Sequence, residues 1–161
     1  MSRMFISYSI HSFRTLAAEL AGGSEIFFKF AEQQSLRVKY IVISKGTEFL
    51  RVPEDGLMYV SADGNYSNVV TLDGRSTLVS LQLGQVEDLI AEQFGDKGGH
   101  FLRVGRGLIV NVDYLFLIDV ARQRLVLSDC RGSYHDLTAS REVLSKLKVY
   151  FESLSKAEYH G

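Results

Sequence analysis

Apolar positions along the chain alternate between helical and strand-like spacing. Ile10, Phe13, Leu16, Ala17 and Leu20 recur at intervals of three and four, one stripe of a short amphipathic helix over residues 9–20. Gly22-Gly23-Ser24 ends it, and Phe27, Phe28, Phe30 and Ala31 predict a second short helix over 25–35. Helices this short are marginal alone in water, so their apolar faces need a partner in this chain or another. From Val38 the period falls to two, predicting strands over 38–43, 48–52 and 57–61, with turns at Ser44-Lys45-Gly46 and Asp63-Gly64-Asn65. Residues 66–72 alternate, with Tyr66, Asn68, Val70 and Leu72 on one side and Ser67, Val69 and Thr71 on the other. Asp73-Gly74 reads as a two-residue hairpin turn in which both residues tolerate positive φ, closed by a strand over 75–79.

Helical spacing returns over 81–94, where Val86, Leu89, Ile90 and Phe94 oppose Glu87, Asp88 and Glu92. Residues 101–111 read as a short irregular piece, followed by strands over 114–119, 124–128 and 132–138. Ser140 opens a terminal helix whose stripe is Val143, Leu144, Leu147, Tyr150, Phe151 and Leu154. Strands outnumber helices and hairpins follow one another. The expected fold is therefore mainly β, with small antiparallel sheets, a mid-chain helix and a C-terminal helix. The domain boundaries expected are a helical extension over 1–37, a domain over 38–154 and a tail over 155–161.

Composition narrows the class. At 161 residues and 46% apolar, the chain can bury an ordinary core. Its longest apolar run, Tyr114 to Ile118, is far short of a bilayer span of about 20 residues. No signal peptide opens the chain, and the single cysteine, Cys130, has no internal partner, so a cytoplasmic protein is expected. The net charge of −1 argues against a general polyanion binder. The distribution is uneven, however: residues 48–96 balance at −7 and residues 97–148 at +4. Such asymmetry marks either a nucleic-acid surface or two solvated faces.

Catalytic and metal-binding patterns are missing from the sequence. His11, His100, His135 and His160 lie far apart, without zinc-ligand spacing. Cys130 reads as an incidental side chain rather than a nucleophile. Gly105-Arg106-Gly107 has no third glycine and no phosphate-binding lysine after it. Neither enzyme activity nor a metal or cofactor is expected.

Three stretches in order carry a family resemblance. Phe101-Leu102-Arg103-Val104-Gly105-Arg106-Gly107-Leu108-Ile109-Val110-Asn111-Val112-Asp113-Tyr114-Leu115 resembles the central signature of the LytTR DNA-binding domain. Leu57-Met58-Tyr59-Val60-Ser61-Ala62-Asp63-Gly64-Asn65-Tyr66 is similar to its earlier strand and turn, and Ser140-Arg141 matches the start of its last helix. The match covers about residues 38–154. Three departures stand out: Gly105 replaces the family's histidine, Gly107 its serine and Ser61 its usual glutamate. The resemblance implies an elongated LytTR-like arrangement of small sheets that bends DNA and reads successive major grooves. Too few residues precede the domain for a receiver, so a stand-alone regulator is expected.

On the family pattern Arg106 in the central loop and Arg141 at the helix start would enter grooves, with Ser67 and Asn68 near a third contact. Arginine suits this task because its planar fork matches guanine O6 and N7, or a phosphate. Gly105 belongs to the same loop. Arg103 has two readings, a DNA-facing residue or a structural ion-pair partner. Lys146 and Lys148 would add phosphate contacts, which position without specifying, or merely solvate the helix. Asn111 reads as a turn or cap residue holding the loop, and Tyr59 and Tyr66 as core aromatics. The partner expected is double-stranded promoter DNA, bound by a homodimer on paired half-sites, with control by a regulatory protein such as a membrane-bound inhibitor allowed. Two alternatives remain: a LytTR-like interaction module that binds a partner regulator instead of DNA, and a small-ligand sensor lined by Phe27, Phe28 and Phe30.

Overall fold

The computed structural model describes residues 39–94 and 100–159. The helices expected within residues 9–35, the Phe27, Phe28 and Phe30 cluster, His11 and His160 lie outside the described residues. The chain divides between Asp55 and Gly56 into two compact units.

In the first unit, β1 (Tyr40–Lys45) and β2 (Glu48–Pro53) form an antiparallel hairpin with Ile41 opposite Val52. Ile41, Ile43 and Val52 are buried, as period-two alternation requires when one face is covered. The Arg51 guanidinium carbon lies 3.4 Å from the Tyr40 ring centre, a cation–π contact on the hairpin.

Among its described residues, the second unit holds two sheets and two α-helices. The strands β3 (Leu57–Asp63), β4 (Tyr66–Thr71), β5 (Ser76–Val79), β6 (Phe101–Val104) and β7 (Leu108–Asn111) form an antiparallel sheet in the order β5-β4-β3-β7-β6. The strands β8 (Leu115–Asp119), β9 (Arg124–Ser128) and β10 (Tyr134–Thr138) form a second, with β9 central. The helices are α1 (Leu83–Phe94) and α2 (Arg141–Tyr159). The described residues are thus mainly β, with three small antiparallel sheets, a mid-chain helix and a C-terminal helix, as the sequence pattern predicts.

Register assigns the sheet faces. Tyr59 pairs with Val110 and Val60 with Ile109, so neighbouring residues serve opposite layers. On one side Met58, Val104 and Val110 pack with Leu125 and Leu127 of β9 and Leu144 and Leu147 of α2. Each of these side chains contributes about 1.5–3 kcal/mol by leaving water. On the other side lies α1, which buries Leu83, Val86, Leu89, Ile90 and Phe94.

Several expectations are corrected here. Residues 101–111 are a regular hairpin, β6–β7, rather than an irregular piece. Its alternation is hidden because Leu102 and Val104 face the α2 side while Phe101 stacks on Phe94 of α1, with ring centres 6.1 Å apart. The Asp73-Gly74 connection is not a two-residue turn. Gly74 N donates to Thr71 O and Thr71 N to Arg75 O, and Gly74, at φ +81°, is the residue of the pair with positive φ. That is a three-residue loop ending in a left-handed glycine. Tyr66 is exposed rather than in the core, whereas Tyr59 is half-buried, and burial raises its phenol pKa. Tyr150 and Leu154 stay 52% and 44% exposed, so the α2 stripe is covered only over its first half. The helix itself runs on to Tyr159.

Candidate nucleic-acid interface

The β6–β7 turn joins Val104 to Leu108 through Gly105, Arg106 and Gly107, with the arginine at its tip. Gly105 holds it in the left-handed region at φ +64°, where an L side chain costs about 1–2 kcal/mol. A Cβ placed on Gly105 would lie 3.7 Å from Val143 Cγ2, so the turn sits against the first turn of α2. Gly107 O accepts from Ala62 N at 2.8 Å, which extends the β3–β7 ladder to the base of the turn. Arg106 is exposed, and among the described residues no carboxylate pairs with its side chain.

Arg141 opens α2 and is also exposed. Its Nη2 donates to Ala121 O at 3.3 Å, which ties the helix start to the β8–β9 turn. Ser140 Oγ accepts from Val143 N at 3.4 Å, a long N-cap bond. In the β8–β9 turn Asp119 Oδ1 accepts from Arg122 N at 2.9 Å, and Gln123 takes φ +56°. The Arg122 side chain is 75% exposed and only 3.4 Å from Asp119 Oδ2, beside the turn that Arg141 grips. Nothing in chain order links residue 122 to residue 141, so the sequence pattern does not single out Arg122. Arg124, two residues on, is committed to Asp136 through Nε at 2.9 Å.

The remaining candidates separate. Ser67 is fully buried and its hydroxyl donates to Leu81 O at 2.8 Å. The residue expected near a DNA contact thus has its hydroxyl engaged with a loop carbonyl inside the unit. Asn68 is half-buried on β4 opposite Ser61 and Leu78. Arg103 makes the ion pair that one of its two readings expects. Its Nη1 bonds Glu87 Oε2 at 3.0 Å, and its other donors reach Gly105 O and Arg106 O. Lys146 and Lys148 are exposed and ion-paired along α2 with Glu142 and Glu152, at 2.8 and 2.9 Å. Those lysines, first by hydrogen bond and then by charge, hold both carboxyls below their ordinary values.

Asn111 matches its reading as a cap. Its Oδ1 accepts from Asp113 N at 3.1 Å and begins the 3-10 turn Val112–Tyr114. Cys130 is exposed, and among the described residues no three histidine, cysteine or acidic side chains gather as a metal site. No described helix is long and apolar enough to cross a membrane.

The chain is similar in structure to a LytTr DNA-binding domain. That solved domain, from Bacillus cereus, shares 20% identity, with a TM-score of 0.47, over 68% of this chain and 94% of its own. No family model and no curated protein matches the sequence.

Proposed function

We propose that this chain is a sequence-specific regulator of transcription that binds double-stranded promoter DNA. The β6–β7 turn and the start of α2 enter successive major grooves, and the protein acts in the cytoplasm as a dimer on paired half-sites. One observation carries the reading. Arg106 and Arg141 are exposed on two elements that pack together, the turn at Gly105 against the helix at Val143. The order of the three sequence motifs supports it. Arg106 reads a base edge, a contact that discriminates by about 1–3 kcal/mol. Arg141 does the same or holds a phosphate, while Arg122, Lys146 and Lys148 supply phosphate contacts. With a net charge of −1 the whole molecule attracts no DNA at long range, so binding depends on this basic strip and weakens steeply with salt.

The test begins with selection from a random duplex pool by the full-length chain, followed by gel-shift titration of the recovered fragment. Arg106→Ala loses about 5- to 150-fold in affinity for that fragment and keeps affinity for unrelated duplex. Arg122→Ala weakens both duplexes alike and lowers the salt slope by about one. Both variants melt at the wild-type temperature. Undiminished binding of the selected fragment by Arg106→Ala contradicts the proposal.

A second reading, an interaction module that binds a partner regulator, is favoured by the uncovered second half of α2, where Tyr150, Leu154 and Tyr159 are exposed. Failure of the chain to recover any duplex decides for it.

A further inference from the structure

Arg103 stands in β6 opposite Ile109, on the face of the sheet that turns toward α1. Its side chain is 29% exposed, so most of a charged group has been withdrawn from water. Such a group needs partners for its donors. Here they are specific. Nε donates to Gly105 O at 3.0 Å and Nη2 to Arg106 O at 2.8 Å, while Nη1 bonds Glu87 Oε2 of α1 at 3.0 Å. One edge of the guanidinium thus grips two successive carbonyls of the β6–β7 turn, and its far end is anchored on a helix.

The turn needs this grip. Gly105 and Gly107 flank Arg106, and glycine surrenders more backbone freedom on ordering than any other residue. Without a brace, the tip would sample many directions and Arg106 would meet DNA from all of them. Ordering it then would cost affinity at the moment of binding.

We infer that Arg103 is the positioning residue of this site: it touches no DNA, but fixes the main chain at Gly105 and Arg106 so that the Arg106 side chain is presented in one direction. The inference rests on the DNA-reading role proposed for Arg106. It gives the half-buried arginine of the motif a task distinct from that of the exposed one. Lysine cannot substitute, because a point-charge ammonium has no planar edge to span two carbonyls.

The experiment compares Arg103→Lys, Arg106→Ala and the double variant in the full chain, with the fragment selected from the random pool as probe. Amide exchange of the free protein is followed in parallel. Arg103→Lys keeps the net charge and the salt slope, yet loses about tenfold in affinity for the selected fragment. Amide exchange in the turn around Arg106 accelerates roughly tenfold while the amides of β9 stay protected. In the Arg106→Ala background the lysine substitution costs nothing further, because the group it positions is gone. A further loss in that background means that Arg103 contacts DNA itself and overturns the inference, as does unchanged exchange in the turn. Full affinity in Arg103→Lys beside lost affinity in Arg106→Ala overturns it alone. Full affinity in Arg106→Ala defeats the reading of Arg106 and this inference with it.

Discussion

The Asn111 side chain donates from Nδ2 to the main-chain carbonyl of Leu57 at 2.9 Å, across 54 residues of sequence. It does so beyond Tyr59–Val110, the last pair of the β3–β7 ladder, where the main chains no longer reach one another. The same side chain accepts from Asp113 N, so one buried amide closes the sheet and starts the 3-10 turn that leads into β8.

At 1% exposure, water does not replace what Asn111 supplies. Asn111→Ala strands the Leu57 carbonyl and the Asp113 amide, and is expected to cost about 2–4 kcal/mol of stability. Urea denaturation checks this through a lower midpoint at unchanged slope. A midpoint within error of wild type would show that the sheet end holds without the amide.

The two glycines of the β6–β7 turn should answer differently to the same substitution. Gly105→Ala forces an L side chain into the left-handed region and destabilises by about 1–2 kcal/mol, although Val143 at 3.7 Å leaves room for the methyl. Gly107 has ordinary φ and open space around it, so Gly107→Ala stabilises by about 0.4–1 kcal/mol through the unfolded chain. Thermal melts of the pair report the contrast. Equal shifts of one sign would contradict the backbone assignment.

Acid should act on the loop between β9 and β10. Asp129 accepts from the main-chain N–H groups of Arg131, Gly132 and Ser133 at 2.9, 3.1 and 2.8 Å. These bonds, that from Arg131 first, hold its carboxyl below the usual range. A depressed folded-state value means that the stabilisation is present in full above the unfolded value of about 3.9 and fades as pH falls through the folded one. Asp129→Asn is therefore less stable than wild type near neutrality, and the gap between the two closes below about pH 4. Urea midpoints measured from pH 7 to pH 2.5 follow that gap; a constant difference would rule the carboxylate out.

Much of this architecture is legible in local pattern. The span 48–52 alternates, and β2 stands there. The spans 66–72 and 124–128 are short and bounded by turn residues, and β4 and β9 stand there, with neighbouring residues Val69 and Val70, and Leu125, Val126 and Leu127, buried on both faces. The helices beginning near residues 81 and 140 show period near 3.6 because each has one apolar side, and α1 and α2 follow. Residues 101–104 escape the same reasoning, since Phe101 meets α1 while Leu102 and Val104 meet the α2 side, so apolar residues fall on both faces of β6. The Asp73-Gly74 pair marks the place of a loop but not its type: an aspartate tolerates positive φ, yet nothing local says that it must adopt it.

By itself the sequence determined where the strands, turns and helices fall, and that arginines stand in a glycine-flanked loop and at a helix start. Periodicity and turn chemistry are properties of neighbours in the chain. Only tertiary structure decided which polar groups remain free to meet a partner. It sealed Ser67 beneath the Leu81 carbonyl and turned the Arg103 fork onto the backbone of its own turn. It also brought the β8–β9 turn, which carries Arg122, against Arg141. Burial and hydrogen-bond partners depend on strand register and on contacts between distant segments, and no run of adjacent residues encodes either.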